Sequence, residues 1–301
     1  MSEIMLTPDP RPLGKSGITV SPVAWGMWRF AGRPVPEARA LVEAAFDAGV
    51  TLFDTADIYG LDGPAFGAAE ELLGQVLRES PGLRERMVLA TKGGITPPVP
   101  YDSSRGYLMK ALDHSLRRMG VERVELYQIH RPDILTHPEE VARALDDMVA
   151  SGKVAVVGVS NYTHAQVHAL QAFLQAPLAS IQPEFSPLHT EPMTDGLFDH
   201  AMADDVAVLA WSPLGGGRIA QPGNERERAV AEALGRKAEE AGVSLAAATY
   251  SWIMAHPARV IPIVGTQNAG RIAEIADVWT VRWTRADWYE VLVASRGERL
   301  P

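Results

Sequence analysis

Cysteine is absent from the 301 residues of the chain. This absence excludes disulfide bridges, thiolate metal sites and thiol nucleophiles, so any catalysis must use other side chains. The histidines show no spacing typical of metal ligands, and we expect no metal site. Long apolar runs are also missing, since no stretch approaches the roughly eighteen residues of a membrane span. The N-terminal residues lack the apolar core of a secretion signal, and we therefore expect a cytoplasmic protein without a membrane partner.

Positive charge is scarce as well. The formal net charge is -9 at pH 7, and no basic stripe runs along the chain, so the sequence predicts no nucleic-acid partner. The 22 prolines and 26 glycines are scattered, with no low-complexity tract and no interior linker that would mark a domain boundary. We therefore predict one domain over residues 1–301.

Short β-branched apolar runs alternate with longer amphipathic segments from residue 20 to about residue 275. This alternation is typical of repeated strand and crossover-helix units. The eight predicted strands are residues 20–24, 51–54, 87–91, 124–129, 155–159, 180–182, 206–210 and 260–264. The predicted helices are residues 37–48, 67–79, 105–119, 138–151, 164–174, 191–204, 225–241, 244–255 and 269–276.

Eight such units in a chain of this length favour an α/β fold of the (β/α)8 TIM barrel type. No predicted strand is followed by a GxGxxG sequence, which argues against a doubly wound dinucleotide-binding sheet. Before the first strand, a turn flanked by hydrophobic residues between Leu13 and Val20 predicts an N-terminal β-hairpin that caps the barrel. A tail helix is predicted over residues 285–294.

Four polar residues lie at or just past the C-terminal ends of three successive predicted strands. Asp54 and Tyr59 belong to the second strand end, Lys92 to the third and His130 to the fourth. Because side chains at these ends converge on one mouth of a barrel, we expect the four to meet in one site. A tyrosine, a lysine, a carboxylate and a histidine together indicate proton chemistry on a carbonyl.

Each of the four residues has a role in that chemistry. Tyr59 is the candidate general acid, but a free tyrosine has a pKa of about 10 and releases its proton reluctantly. We expect the Lys92 cation to lower the pKa of Tyr59, and Asp54 to keep the lysine charged and oriented. His130 is expected to donate a hydrogen bond to the substrate carbonyl oxygen.

Four motifs extend this pattern: Asp54-Thr-Ala-Asp-Ile-Tyr59-Gly60, Gly67-Ala-Ala-Glu70-Glu-Leu-Leu-Gly74, Thr91-Lys92 and Gln128-Ile-His130. With them, the chain resembles the aldo-keto reductases of the bacterial NADP-dependent carbonyl reductase type over nearly its whole length. The resemblance implies a catalytic tetrad with Tyr59 as proton donor, Lys92 and Asp54 as its tuning pair, and His130 orienting the carbonyl. It implies reversible NADPH-dependent reduction of an aldehyde or ketone to the alcohol.

The resemblance also implies a cofactor site after the remaining strands. Ser160, Asn161 and Gln182 are expected at the nicotinamide carboxamide, Trp211 on the ring face, and Arg271 at the 2′-phosphate, which its planar fork suits. NADP(H) is favoured and NAD(H) is not excluded, because Ile275 replaces a frequent asparagine of the family. The implied cofactor-binding set is Gly26, Met27, Asp54, Ser160, Asn161, Gln182, Trp211, Ser212, Leu214, Gly216, Arg218, Gly265, Thr266, Gln267, Arg271 and Glu274.

Trp28, Tyr59 and His130 are expected to border the substrate pocket at the barrel mouth. Its occupant is a small-molecule carbonyl compound, and aldehydes, ketones, sugars and quinone-like carbonyls all fit this chemistry. Selectivity in such barrels comes from the loops that follow the strands.

Two other functions are compatible with parts of the pattern. Lys92 at a strand end is also where a Schiff-base aldolase or lyase would carry its nucleophile, although a lysine paired with Asp54 stays protonated and poorly nucleophilic. A reductase scaffold can alternatively act as a non-enzymatic module that senses NADPH, against which the intact set of four polar residues argues.

Overall fold

Eight parallel strands close into a barrel in the computed structural model, which describes residues 3–300. A short antiparallel hairpin precedes the barrel, formed by β1 (Arg11–Pro12) and β2 (Thr19–Val20). The barrel strands are β3 (Ala24–Gly26), β4 (Leu52–Asp54), β5 (Val88–Gly93), β6 (Val124–Ile129), β7 (Val154–Ser160), β8 (Leu178–Gln182), β9 (Ala207–Ala210) and β10 (Ile261–Val264). Successive strands pair with one another, and β10 closes on β3. The predicted (β/α)8 TIM barrel and its N-terminal hairpin are confirmed.

Helices surround the barrel and supply the crossover connections. They are α1 (Val35–Asp47), α2 (Ala68–Glu79), α3 (Gly82–Glu85), α4 (Arg105–Met119), α5 (Pro138–Ala150), α6 (His164–Gln171), α7 (Leu197–Asp204), α8 (Glu225–Ala241), α9 (Leu245–Met254), α10 (Ala269–Ala273) and α11 (Arg285–Arg296). Capping boxes fix the starts of two helices. Thr163 pairs with Gln166 at the start of α6, and Thr284 pairs with Asp287 at the start of α11. In each box, the two side chains accept hydrogen bonds from backbone N–H groups of the first turn. The tail helix is thereby confirmed as α11.

The core has an inner and an outer layer. The inner layer fills the lower barrel with small and branched side chains, and Leu13 and Val20 of the hairpin segment pack into it from the N-terminal end. Full burial of each such side chain contributes about 1.5–3 kcal/mol. Arg11 of β1 adds hydrogen bonds from its guanidinium to the carbonyls of Arg259 and Val260. The outer layer lies between strands and helices, and includes the stacked rings of Trp252 and Trp288, whose centroids are 4.8 Å apart.

Two predicted elements have different bounds in the structure. The first barrel strand was predicted at residues 20–24, but Val20 pairs in the hairpin, and the barrel strand begins at Ala24. The chain bends between them, where Ser21 Oγ donates to the Val23 carbonyl at 2.6 Å. The helix predicted at residues 191–204 begins only at Leu197, because Glu191–Met193 form a separate 3-10 turn and Gly196, with a left-handed φ of 89°, caps the start of α7.

Two further differences concern short helices. The sequence analysis did not predict α3, a single turn of four residues between α2 and β5. The helix predicted at residues 269–276 ends as an α-helix at Ala273 and continues as a 3-10 helix from Glu274 to Thr280. Neither difference moves the strand ends that carry the polar residues.

Candidate active site

A buried ion pair forms the floor of the barrel mouth, the end at which the strands terminate. Lys92 near the end of β5 is fully buried, and its ammonium donates to Asp54 Oδ2 at 2.5 Å and to the Thr55 carbonyl at 2.9 Å. Asp54, the last residue of β4, is 2% exposed. Burial disfavours the charged lysine, but Asp54 and Tyr59 outweigh this effect and raise the pKa of Lys92. The lysine is therefore a fixed cation beneath the mouth.

Tyr59 lies above this pair, in the turn that follows β4. Its hydroxyl accepts a hydrogen bond from Lys92 Nζ at 3.2 Å, and the ammonium lies 4.9 Å from its ring centroid. Burial raises the pKa of Tyr59, and this effect exceeds the lowering by the Lys92 cation. The net lowering of the Tyr59 pKa expected from the Lys92 cation is wrong in direction, because desolvation of the buried hydroxyl has the larger effect. Tyr59 thus keeps its proton at neutral pH.

His130 follows β6 and borders the same space. Its ring centroid lies 5.8 Å from that of Tyr59, and Trp28 lies on the other side of the tyrosine with a centroid distance of 5.4 Å. Burial lowers the pKa of His130 well below its usual value, and the cations Lys92 and Arg131 lower it further. The imidazole is therefore neutral at physiological pH. The structure brings together all four residues that the sequence placed in one site.

A polar layer inside the barrel supports Asp54 from the other side. Gln182 Nε2 donates to Asp54 Oδ1 at 3.0 Å, and Gln128 Nε2 lies 3.4 Å from the same oxygen. Ser180 Oγ in turn donates to Gln128 Oε1 at 3.2 Å. Gly158 makes room for this layer, since a methyl group there would overlap Ser180 Oγ and lie 3.1 Å from Gln128 Cγ. Gln128 was not singled out as a site residue, although its place two residues before His130 could have indicated it.

Four predicted cofactor residues form a second hydrogen-bonded group at the ends of β7, β8 and β9. Asn161 Nδ2 donates to the His130 carbonyl at 3.0 Å and to Ser160 Oγ at 2.8 Å, while its Oδ1 accepts from Trp211 Nε1 at 2.9 Å. Ser160 Oγ donates to the Gln182 carbonyl at 2.8 Å. Asn161 has a positive φ of 61°, which directs its amide toward these partners. The group therefore adjoins the tetrad directly through His130 and Gln182.

The loop after β9 carries four more of the predicted cofactor residues, Ser212, Leu214, Gly216 and Arg218. Its three glycines, Gly215–Gly217, all have positive φ, and a methyl group added at Gly217 would meet nothing within 4 Å. The loop is closed by Glu227 of α8, which accepts from Arg218 Nη1 at 3.2 Å and from the Gly223 N–H at 2.7 Å. Backbone that is open on one side suits the close approach of a pyrophosphate.

The segment after β10 contains Gly265, Thr266, Gln267, Arg271 and Glu274. Gln267 Nε2 donates to the Gly26 carbonyl at 3.0 Å, and its Oε1 is buried without a hydrogen-bond partner among residues 3–300. Space is also open around Gly265. Arg271 lies exposed in α10. An orphaned amide oxygen, an open glycine and an exposed arginine fit the polar nucleotide end of a dinucleotide.

The first strand end links these two regions. Gly26 pairs in register with Asp54, and the Met27 N–H donates to the Asp54 carbonyl at 2.9 Å. The Met27 side chain is fully buried. The residues predicted for the catalytic and cofactor sites thus lie on one end of the barrel.

A cavity of about 340 Å³ opens above Tyr59. Trp28, Tyr59 and His130 line it, as the sequence analysis expected, together with loop residues that it did not name, which include Arg29, Ile58, Leu61, Ile95 and Arg131. Trp28 is 58% exposed at the rim. Arg131 directly follows His130, and its position just after the end of β6 was the signal that could have identified it.

No group of three or more histidine, aspartate or glutamate side chains among residues 3–300 is arranged to hold a metal ion. No helix in the same range is long and apolar enough to cross a membrane.

Comparison with known proteins finds relatives along the whole chain. A sequence model of the Aldo/keto reductase family matches residues 22–292. The chain is 59% identical to a 6-dehydroglucose reductase of Novosphingobium aromaticivorans, with 100% of both chains covered. It is 36% identical to a 6-dehydroglucose reductase of Agrobacterium fabrum, over 94% of this chain and 97% of that one. Among solved structures, the glycerol dehydrogenase of Gluconobacter oxydans matches with a TM-score of 0.84 and 27% identity, over 98% of each chain.

Proposed function

The chain belongs to the aldo/keto reductase family, and from this premise we propose that it reduces the aldehyde of a 6-dehydro sugar to the primary alcohol with NADPH. As a member of that family it is an oxidoreductase that acts on small-molecule carbonyl compounds with a nicotinamide cofactor. One observation carries the proposal: a protonated Tyr59 lies in a cavity beside a neutral His130, with its hydroxyl 3.2 Å from the Lys92 ammonium.

Tyr59 delivers the proton in this mechanism. When bound, NADPH supplies a hydride to the carbonyl carbon. The Tyr59 hydroxyl gives its proton to the carbonyl oxygen, and the Lys92 ammonium stabilises the phenolate that remains. The neutral imidazole of His130 orients the same oxygen by donating a hydrogen bond. Solvent then restores the proton of Tyr59.

The pocket supports a polyhydroxylated aldehyde as substrate. Its volume of about 340 Å³ lies in the range of small-molecule sites. Arg131 makes no hydrogen bond or ion pair among residues 3–300, so its donors are free for sugar hydroxyls. Trp28 offers an exposed aromatic face at the rim. The relative at 59% identity acts, by its name, on 6-dehydroglucose, which is glucose with an aldehyde at C6.

The Schiff-base alternative is disfavoured by the surroundings of Lys92. A lysine nucleophile must be neutral, yet Nζ donates to Asp54, Thr55 and Tyr59, and the pKa of Lys92 is raised. A fully buried ammonium with three oxygen acceptors has neither the lone pair nor the access that attack on a carbonyl requires.

Substrate choice is tested by following NADPH oxidation with purified protein. We expect turnover of 6-dehydroglucose to glucose, with kcat/KM at least about tenfold above that for glyceraldehyde, which has the aldehyde without the ring. A tenfold ratio corresponds to about 1.4 kcal/mol of transition-state binding. Glucose itself, which lacks the C6 aldehyde, is the blank. Equal values for the two aldehydes would refute the sugar assignment, and no oxidation with any carbonyl compound would refute the reductase.

The cofactor choice is tested by Arg271→Ala. Loss of a hydrogen bond to a charged group removes about 1.5–3 kcal/mol, so we expect the Kd for NADPH to rise about 10- to 100-fold. The Kd for NADH, which has no 2′-phosphate, should remain at its wild-type value. Both are measured by fluorescence titration. Arg143→Ala, which removes an exposed arginine of α5, is the matched control. Equal weakening of both cofactors would contradict the role of Arg271.

A further inference from the structure

Two carboxyl groups are buried on the outer side of β5, behind Lys92. Glu70 of α2 is fully buried and satisfied: it accepts from Arg118 Nε at 2.7 Å and from Thr91 Oγ1 at 2.5 Å. Asp57 is 1% exposed, and neither of its carboxyl oxygens has a hydrogen-bond partner among residues 3–300. Two acids thus share one interior region, and only one of them has partners.

No cation forms an ion pair with Asp57 among residues 3–300. Arg118 is committed to Glu70, and Lys92 is committed to Asp54 on the inner side of the strand. An ionised carboxylate buried without a cation or hydrogen bond is strongly disfavoured relative to the protonated acid. Burial raises the pKa of Asp57 well above its usual range, and Glu70 raises it further, while Arg118, the nearby backbone N–H of Ile58 and Lys92 lower it by less.

One polar group does face Asp57. The hydroxyl of Tyr127 on β6 is fully buried and has no hydrogen-bond partner among the described residues. A methyl group added at Gly93 would overlap this hydroxyl and would lie 3.2 Å from Asp57 Oδ2. The two side chains therefore converge on the space left by Gly93. The charged and titratable groups around this space are Glu70, Lys92, Tyr107, Arg118 and Tyr127.

The backbone of Asp57 connects this space to the tetrad. Its N–H donates to the Lys92 carbonyl at 3.0 Å, which extends the pairing of the loop with β5. Tyr59 lies two residues further along the same loop, and its N–H closes a turn onto the Ala56 carbonyl at 3.1 Å. A contact that holds the Asp57 side chain in place therefore also helps to hold the Tyr59 turn at its distance from Lys92.

We propose that Asp57 is a protonated acid joined to Tyr127 by one buried water behind Gly93, and that this pair positions the Tyr59 turn on Lys92. Asp57 is a positioning residue, because it acts through Tyr59 and Lys92 and does not face the cavity. The activity part of this inference rests on the proposed role of Tyr59, and its stability part does not.

The protonation state gives the proposal a specific pH signature. A group whose pKa is raised in the folded state binds its proton more tightly there than in the unfolded chain. Its contribution to stability is therefore complete at low pH and is lost as the pH rises above the ordinary pKa of aspartate. Asp57→Asn keeps a donor and an acceptor but has no proton to lose, so its stability relative to wild type should increase with pH.

The experiment compares Asp57→Asn, Asp57→Leu and Tyr127→Phe in the full chain. Thermal unfolding is measured between about pH 4 and about pH 9, the range over which a raised carboxyl pKa changes stability. We expect the Tm of the Asn variant minus that of wild type to increase steadily with pH. We expect Asp57→Leu to lower kcat about tenfold, the effect of about 1.4 kcal/mol at the transition state, with unchanged Kd for NADPH. Asp57→Asn should keep most of the wild-type kcat.

The pair itself is tested by combining substitutions. If Asp57 and Tyr127 act together, Asp57→Leu with Tyr127→Phe lowers kcat no further than the stronger single variant. A Tm difference that does not change with pH, or a wild-type kcat in Asp57→Leu, would overturn the proposal. If wild type itself reduces no carbonyl compound, the proposed function fails, while the pH series of Tm still decides whether Asp57 is protonated.

Discussion

Replacement of Tyr59 with phenylalanine is expected to lower kcat for carbonyl reduction by about 10²- to 10⁴-fold, the usual contribution of a general acid. The change removes one oxygen atom from a side chain whose ring remains packed between Trp28 and His130. The alkoxide that forms at the transition state then has no proton donor, because His130 is neutral and Lys92 points at Asp54 and Tyr59 rather than into the cavity. Single-turnover rates with saturating NADPH measure the loss.

Three measurements separate this effect from a general disturbance. Tyr59→Phe should leave the Kd for NADPH and the Tm close to wild type, since the hydroxyl makes a single hydrogen bond within residues 3–300, to Lys92. The decline of the wild-type rate at alkaline pH, which reports loss of the tyrosine proton, should vanish. Tyr289→Phe, at an exposed position on α11, is the matched control. If Tyr59→Phe retained the wild-type kcat, Tyr59 would not be the proton donor.

The sequence predicted the tetrad because strand ends are marked by a simple pattern. Asp54, Lys92 and His130 each terminate or follow a short apolar run, and a parallel barrel brings such positions to one mouth. The same pattern did not identify Asp57 or Tyr127, although both are close in sequence to tetrad residues. Their relation depends on the absence of a side chain at Gly93, which is visible only when strands β5 and β6 are packed side by side.

The missed element bounds have a local origin. Val20 is apolar and β-branched, so a periodicity argument cannot separate a hairpin strand from the barrel strand that begins at Ala24. The bend between them comes from the hydrogen bonds of Ser21 with Thr51 and Val23, which join residues from different elements. The start of α7 depends similarly on the left-handed φ of Gly196.

The direction of the Tyr59 pKa shift depends on burial, which residue types alone do not reveal. A cation within hydrogen-bond distance lowers the pKa of a tyrosine, and this much follows from residue types. Desolvation opposes it, and its size depends on how completely the loops around Trp28 and His130 cover the hydroxyl. We propose that the resulting site keeps the proton on Tyr59 until an alkoxide forms, and that the fixed Lys92 cation then stabilises the phenolate more than the hydroxyl.

Replacement of Lys92 with methionine is expected to lower both stability and activity. It leaves Asp54 buried without its cation, and removal of one partner of a buried ion pair costs about 3–5 kcal/mol. Denaturant unfolding measures this loss. The turnover should fall to the level of Tyr59→Phe or below, because the phenolate loses its stabilising charge while the proton donor stays in place. Lys153→Met, which breaks a half-exposed pair with Asp113, should cost about 0–1 kcal/mol and retain full activity.

The double variant Asp54→Asn with Lys92→Met distinguishes the two effects of the lysine. Asparagine removes the unpaired charge but can still accept from Gln182, so the double variant should regain much of the stability that Lys92→Met loses. It should regain none of the activity, since no cation then lies beside Tyr59. Recovery of turnover together with stability would mean that Lys92 serves the fold alone, and that the Tyr59 phenolate needs no cation to form.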